Sequence, residues 1–346
     1  MTLNEIIGQL LIVGFKGDTV SAQSPVIKAI EKYNLGGVIL FDRLLADKSP
    51  QNNIISFEQT RTLIDDLQNS AGGNLIVSVD QEGGLVNRFK EERGFGQTPK
   101  PAELGIDTDC SATRAAAQQT AAMLAAMGFT INLAPVVDLD SYAANPIISK
   151  YGRAFSGKPD EVVTHAESWI REHHASGLHC CLKHFPGHGS ARSDSHLGFV
   201  DISSYWQKAE LLPFQELIER GLADAVMTGH LFNDRLDPHY PATLSSATID
   251  GLLRGELGYV GPVLSDDMQM QAITAHYGLE ECVIRAFNSG IDLLVFGNNM
   301  VYDPDITEQV VNITVQGVAD GRLSEEKLEA AWQRVQSLRK PPLTNM

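Results

Sequence analysis

The sequence predicts an α/β protein of the (β/α)8 TIM-barrel type in a single domain, and three observations predict it. Eight short runs rich in Val, Ile and Leu recur at Leu10–Phe15, Gly37–Phe41, Leu75–Asp80, Ile131–Val137, Cys180–Phe185, Ala225–Leu231, Pro262–Asp266 and Ile291–Gly297. Longer segments of helical period separate most of them. The runs are apolar throughout instead of at alternate positions, the pattern of strands covered on both faces in a parallel sheet wrapped by helices. A doubly wound open sheet is the alternative, because periodicity does not report closure.

The helical segments follow in order: Pro25–Tyr33, Phe57–Asn69, Ser111–Met127, Glu161–Ser176, Gln207–Arg220, Thr248–Leu257, Glu280–Ser289 and Ile306–Val318. A last helix, Glu325–Leu338, has Ser324 as its expected N-cap and Glu325 and Glu326 against the positive end of its dipole. With 346 residues and 43% hydrophobic content, the chain has material for one large core, read as one catalytic barrel over 1–346. The run at Leu10–Phe15 has no Lys or Arg ahead of it and no small-residue cleavage site behind it, so it reads as a strand and not as a leader. No run approaches the roughly 18 apolar residues of a membrane span.

The formal net charge is -16, from 27 Lys and Arg against 43 Asp and Glu, which repels nucleic acid and anionic membranes and ranks basic-patch functions low. Cys110, Cys180, Cys181 and Cys282 show neither C-x-x-C spacing nor a disulfide framework, which fits a reduced, cytoplasmic setting. Cys180 and Cys181 open a strand and read as core. The His173-His174 pair, in a polar helical segment, reads as a solvated face.

In a β/α barrel the site is built at the C-terminal ends of the strands. Here the third run ends in Asp80, the fifth holds Lys183 and His184, the sixth His230, and the seventh leads to Asp266 and Asp267. Any one of these reads equally well as a solvated loop residue or a helix cap. Together they must pair or serve a ligand, since unpaired buried charges are costly.

The sharpest segment is Lys183-His184-Phe185-Pro186-Gly187-His188-Gly189, followed by Asp194-Ser195-His196. Its glycines and proline mark a loop that can reach over the barrel mouth. Asp194 and His196 are spaced so that the carboxylate could bond one imidazole nitrogen and leave the other for a substrate. The alternative is a chance surface pair. His184, His188, Asp194 and His196 could also ligate a metal, but the H-x-H that barrel metallohydrolases carry after the first strand is missing, so no metal is expected. Asp266 and Asp267 point to opposite faces of an extended segment, so one of them enters the pocket while the other pairs elsewhere. The residues alone leave open which. In Val79-Asp80-Gln81-Glu82-Gly83-Gly84, with Arg88 beyond, the glycines mark a close backbone approach or a simple turn, and Glu82 reads equally well as a structural residue.

These segments together resemble glycoside hydrolase family 3 β-N-acetylhexosaminidases, the bacterial single-domain branch that trims N-acetylglucosamine from cell-wall fragments. The resemblance runs through V-D-Q-E-G-G, N-L-A-P-V-V-D, G-R-A-F, K-H-F-P-G-H-G, D-S-H, M-T-G-H, P-A-T-L-S and L-S-D-D-M, in the family's order. It implies a (β/α)8 barrel with Asp266 as nucleophile and His196 as general acid/base, oriented by Asp194. It assigns Asp80, Arg88, Arg153, Lys183 and His184 to the terminal sugar's hydroxyls and acetamido group, and His230 to the same pocket. It implies a small carbohydrate substrate, with no cofactor and no obligate protein partner. Two departures stand out: Leu85 where many relatives have arginine, and a long stretch from Leu44 to Ser56 that would reshape the rim beyond the cleaved sugar. A family 3 phosphorylase or β-glucosidase, a barrel metallohydrolase and a non-catalytic sugar-binding barrel are the alternatives.

Overall fold

The computed structural model describes residues 1–194 and 198–342. Its strands are β1 (Leu11–Gly14), β2 (Gly37–Ile39), β3 (Ile76–Val79), β4 (Ile131–Asn132), β5 (His179–Phe185), β6 (Val200–Asp201), β7 (Ala225–Thr228), β8 (Leu231–Phe232), β9 (Val263–Asp267) and β10 (Leu293–Phe296). Eight of them close into one parallel barrel in which β1, β2, β3, β4, β5, β7, β9 and β10 follow one another round the ring. They are the eight apolar runs in chain order. Closure is made by β10 against β1, with Leu294 beside Leu11 and Phe296 beside Val13, so the open-sheet alternative is excluded.

The run at Ala225–Leu231 divides. The barrel strand stops at Thr228, Gly229 and His230 carry the chain outward, and β8 pairs with β6 as a separate two-stranded ribbon. The helices Pro25–Tyr33 and Ser111–Met127 have the predicted bounds. Gln207–Arg220 does not form one helix. A 3-10 turn at Lys208–Leu211 leads into the helix Leu212–Glu219, because Pro213 is tolerated only in a first turn. Ala247–Glu256 winds as a π-helix. A helix at Leu3–Gln9, unforeseen from periodicity, starts on a capping box in which Glu5 N–H donates to Thr2 Oγ1 and Thr2 N–H donates to Glu5 Oε2. Ser324 stands at the N-cap position of Glu325–Val335, but its hydroxyl donates to Glu326 and accepts no backbone N–H.

The expectation for His173 and His174 is overturned. Their helix, Pro159–Ala175, packs between two neighbours, and both rings are buried. His173 stacks on Trp169 and bonds the Asn132 side chain at 3.1 Å, while His174 Nε2 meets Asp224 at 2.7 Å. Burial pushes the His173 imidazole down to about 4, so it is neutral and donates or accepts as a core group. At the N-terminal end of the barrel Asp292 accepts from Arg254 at 2.7 Å, Arg334 at 2.8 Å and the Val263 N–H at 2.8 Å, which ties the last helix to β9 and β10. All four cysteines are free and buried. Among the described residues no helix is long and apolar enough to cross a membrane.

Candidate active site

A cavity of about 260 Å³ opens at the C-terminal end of the barrel. Its walls include Ile39, Leu133, Met227 and Val295, which come from barrel strands and the segments that extend them. Around this apolar floor stand Asp80, Glu82, Arg88, Arg153, Lys183, His184 and Asp266. Thus seven polar groups, six of them sequence-predicted sugar-binding or catalytic residues plus Glu82, share one hollow.

Charge pairing fixes the cluster. Glu82 accepts from Arg153 through both oxygens, at 2.7 and 2.8 Å, and meets Lys183 Nζ at 2.7 Å. Lys183 also donates to Asp80 at 2.8 Å, and Arg88 approaches Asp80 at 3.6 Å. Burial alone would raise the Glu82 carboxyl, but Arg153 and Lys183 outweigh it and hold the group below the usual carboxylate range. Burial would likewise lower Lys183, and Asp80 and Glu82 outweigh it, keeping the ammonium charged. The outcome is a fixed set of donors and acceptors facing the cavity, suited to a polyhydroxylated ring.

His184 is oriented from behind. Its Nδ1 lies 2.7 Å from Asp138 Oδ2, and Asp138 Oδ1 accepts the backbone N–H groups of His184 (3.1 Å) and His188 (2.7 Å). Asp138 is fully buried; burial would raise its carboxyl, and the contact with His184 outweighs that and lowers it. With Nδ1–H donated to the carboxylate, Nε2 keeps a lone pair toward the cavity, where Arg153 stands 3.4 Å away. Asp138→Asn is expected to invert the tautomer and set an N–H against Arg153. We expect kcat/KM to fall about 10- to 100-fold, on the worth of a charge-assisted hydrogen bond. Nitrogen-15 shifts of the His184 ring, compared between the two proteins, check the cause.

The two adjacent aspartates separate by their partners. Both line the cavity, so the expectation that only one would enter needs correction. Asp267 Oδ1, however, accepts backbone N–H groups from Gly297 (2.9 Å) and Gln269 (3.0 Å), and a Cβ on Gly297 would lie 2.4 Å from Asp267 Oδ2. Asp267 therefore serves the junction of β9 and β10. Asp266 Oδ1 accepts the N–H of Asp267 at 2.8 Å.

His230 is not a cavity wall. It is 1% exposed and bonds Thr243 Oγ1 (2.8 Å) and the carbonyl of Asp267 (2.9 Å), which ties it to the aspartate segment. Asp194 is half-buried on the loop after β5. His196 lies outside the described residues.

Sequence reasoning gave no role to Asp138, although it closes N-L-A-P-V-V-D, and undervalued Glu82, whose signal was V-D-Q-E-G-G. It also missed the rim residues Arg43, Asn299 and Met300, which no motif marks, while Leu45 falls within the long stretch from Leu44 to Ser56 expected at the rim. Leu45 and Ala46 donate their N–H groups to Asn299, at 2.8 and 2.7 Å, which sews the long stretch after β2 to the loop after β10. Among the described residues no three His, Cys, Asp or Glu side chains gather as a metal ion requires.

Comparison with known proteins gives a consistent result. The model of the glycosyl hydrolase family 3 N terminal domain matches residues 2–338. A beta-hexosaminidase of Idiomarina loihiensis is 32% identical over 94% of this chain and 98% of that protein, and one of Tolumonas auensis is 35% identical over 77% and 76%. Among solved structures, a glycoside hydrolase family 3 beta-N-acetylglucosaminidase from Paenibacillus sp. str. FPU-7 superposes with a TM-score of 0.88 at 33% identity; it covers 98% of this chain, which spans 62% of that longer one. A beta-N-acetylhexosaminidase from Beutenbergia cavernae superposes with a TM-score of 0.85 at 28% identity over 98% of both chains.

Proposed function

Because the chain belongs to the family of the glycosyl hydrolase family 3 N-terminal domain, and is a glycoside hydrolase, we propose that it is a retaining exo-β-N-acetylhexosaminidase releasing terminal N-acetylglucosamine. The names of the relatives support the sugar. The observation that carries the chemistry is that Asp266 opens onto the same cavity as Asp80, Lys183, Arg153 and His184.

In this reading Asp80, Arg88, Arg153, Lys183 and His184 bind the hydroxyls and acetamido group of the terminal sugar. The Asp266 carboxylate attacks the anomeric carbon as the bond to the leaving oxygen breaks, giving a glycosyl ester. His196, protonated and oriented by Asp194, gives its proton to that oxygen. The neutral imidazole then takes a proton from water as the water attacks the same carbon and releases Asp266. Two inversions leave the configuration retained. We place the natural substrates among peptidoglycan-derived fragments in the cytoplasm, a setting with which four buried free cysteines agree.

The test is a panel of nitrophenyl glycosides with the anomer of the first product followed by NMR. Preferential cleavage of the β-N-acetylglucosaminide with the β anomer formed first supports the proposal. Faster cleavage of the glucoside, or an α anomer first, overturns it, and a product that becomes a sugar phosphate only when phosphate is added assigns a phosphorylase instead. His196→Ala is expected to slow substrates with poor leaving groups by about 10², at the lower end of what general acid catalysis supplies, while inhibition by free N-acetylglucosamine persists. Equal turnover of such substrates by variant and wild type removes His196 from the mechanism.

A further inference from the structure

Up to Ser190 the loop after β5 is fastened by buried hydrogen bonds. Trp206 Nε1 donates to the carbonyl of Pro186 at 2.9 Å, and Asn145 Nδ2 donates to those of His188 and Gly189 at 2.8 and 2.9 Å. Glu210, a buried carboxyl, accepts the Ser190 N–H at 3.3 Å. Its Cβ stands so close to Gly187, where φ is +118°, that a Cβ there would come within 2.6 Å of it. Burial raises the Glu210 carboxyl to about 7.

Beyond Ser190 the means of fastening changes. Arg192 is exposed, and among the described residues no carboxylate pairs with it, although acids outnumber bases 43 to 27 in the chain. Its guanidinium lies instead between two rings, 3.6 Å from the centroid of Tyr205 and 4.7 Å from that of Tyr142. A planar, weakly hydrated guanidinium is attracted to aromatic faces, and two faces restrict it more than one. Tyr205 adjoins Trp206, and Tyr142 lies three residues before Asn145, so the two segments that seat the base of the loop also grip Arg192. Asp194 stands two residues further on. Two residues span at most about 7 Å, so holding Arg192 confines the Asp194 backbone. On the far side Phe199 packs on Phe232 (5.3 Å) and His276 (5.2 Å).

We propose that Arg192, clamped between Tyr142 and Tyr205, is a positioning residue for Asp194 and, through it, for proton delivery to the leaving group. The proposal rests on the role given to Asp194 above. It makes Tyr142 and Tyr205 part of the catalytic apparatus at one remove, although neither lines the sugar cavity.

Acid assistance matters most for poor leaving groups, so the experiment compares a chitobioside with a dinitrophenyl N-acetylglucosaminide in the full chain. Arg192→Ala is expected to lower kcat/KM for the chitobioside about tenfold, the combined worth of two exposed ring contacts. For the dinitrophenyl substrate kcat/KM, which reports formation of the glycosyl ester without acid assistance, should stay within about twofold. Arg192→Lys, which keeps a cation over the rings, should recover most of the loss, and Arg192→Ala should add little to Asp194→Ala. Equal losses of kcat/KM on both substrates, or full additivity with Asp194→Ala, overturns the clamp. Backbone hydrogen exchange at residues 190–194 reads the clamp without catalysis: it should quicken in Arg192→Ala, and unchanged exchange overturns the proposal. If Asp194→Ala shows no dependence on the leaving group while Arg192→Ala quickens exchange, it is the role of Asp194 that fails, and the link from clamp to proton delivery falls with it.

Discussion

Asp266→Asn is expected to lower kcat by about 10⁴ to 10⁶ on every glycoside the protein accepts, with KM changed by no more than a few-fold. An amide of the same shape still accepts the Asp267 N–H that meets Oδ1 at 2.8 Å, so the cavity should keep its form. What it loses is the negative charge and the lone pair that form the ester. Asp266→Gly removes the side chain and leaves space for an external anion, and azide should restore turnover of an activated substrate by that variant while giving the α-glycosyl azide. That product marks a single inversion, which no loss of folding explains. The control is Asp267→Asn. Since the Asp267 carboxylate accepts the N–H groups of Gly297 and Gln269, this change should cost stability more than chemistry. If azide rescues Asp267→Gly and not Asp266→Gly, the two roles are exchanged.

The barrel was legible because its signal is one-dimensional. Strands buried on both faces must be apolar at every position, and eight such runs in a chain of this size leave few ways to cover their edges. The errors lie where a second element decides the environment. His173 and His174 read as solvated because their own helix is polar, but Asn132 and Asp224 from other segments bond them. The Ala225–Leu231 run is continuous in sequence, yet Gly229 ends the barrel pairing and β6 claims the residues beyond.

The site was legible as a set of residue types and less so as a set of roles. Strand-end logic found Asp80, Lys183, His184 and the pair Asp266 and Asp267, without deciding between the last two. It also counted His230, whose ring nitrogens bond Thr243 and the Asp267 carbonyl. Asp138 was missed for the converse reason. It lies beyond β4, is not among the residues lining the cavity described above, and holds the His184 ring and the backbone N–H groups of His184 and His188. Such a residue leaves no periodic trace, because its partners, His184 and His188, stand some fifty positions away in the chain.

Glu82→Ala is expected to destabilise the fold by about 3–5 kcal/mol and to lower kcat/KM by more than about 10³, a double effect that none of the surface ion pairs should reproduce. Arg153 and Lys183 are 7% and 2% exposed, and Glu82 bonds both within 2.8 Å. Removing it leaves two buried cations, of which Lys183 keeps Asp80 and Arg153 keeps no carboxylate at hydrogen-bond distance. By calorimetry the midpoint should fall by about 5–10 °C. The dependence on pH has a definite sign. The folded carboxyl is held below its unfolded value of about 4.3, so its contribution is complete above that pH and is lost as the pH drops through the depressed folded value. The gap between wild type and variant should therefore be flat at neutral pH and narrow in acid. Glu82→Gln separates charge from shape: it keeps a carbonyl acceptor for one cation while placing an N–H₂ group against the other. If Gln restores the midpoint and not the activity, the carboxylate is required chiefly to hold Lys183 and Arg153 at the spacing the sugar needs. If both return together, Glu82 is a structural brace and the burden of binding falls on Asp80 and Arg88.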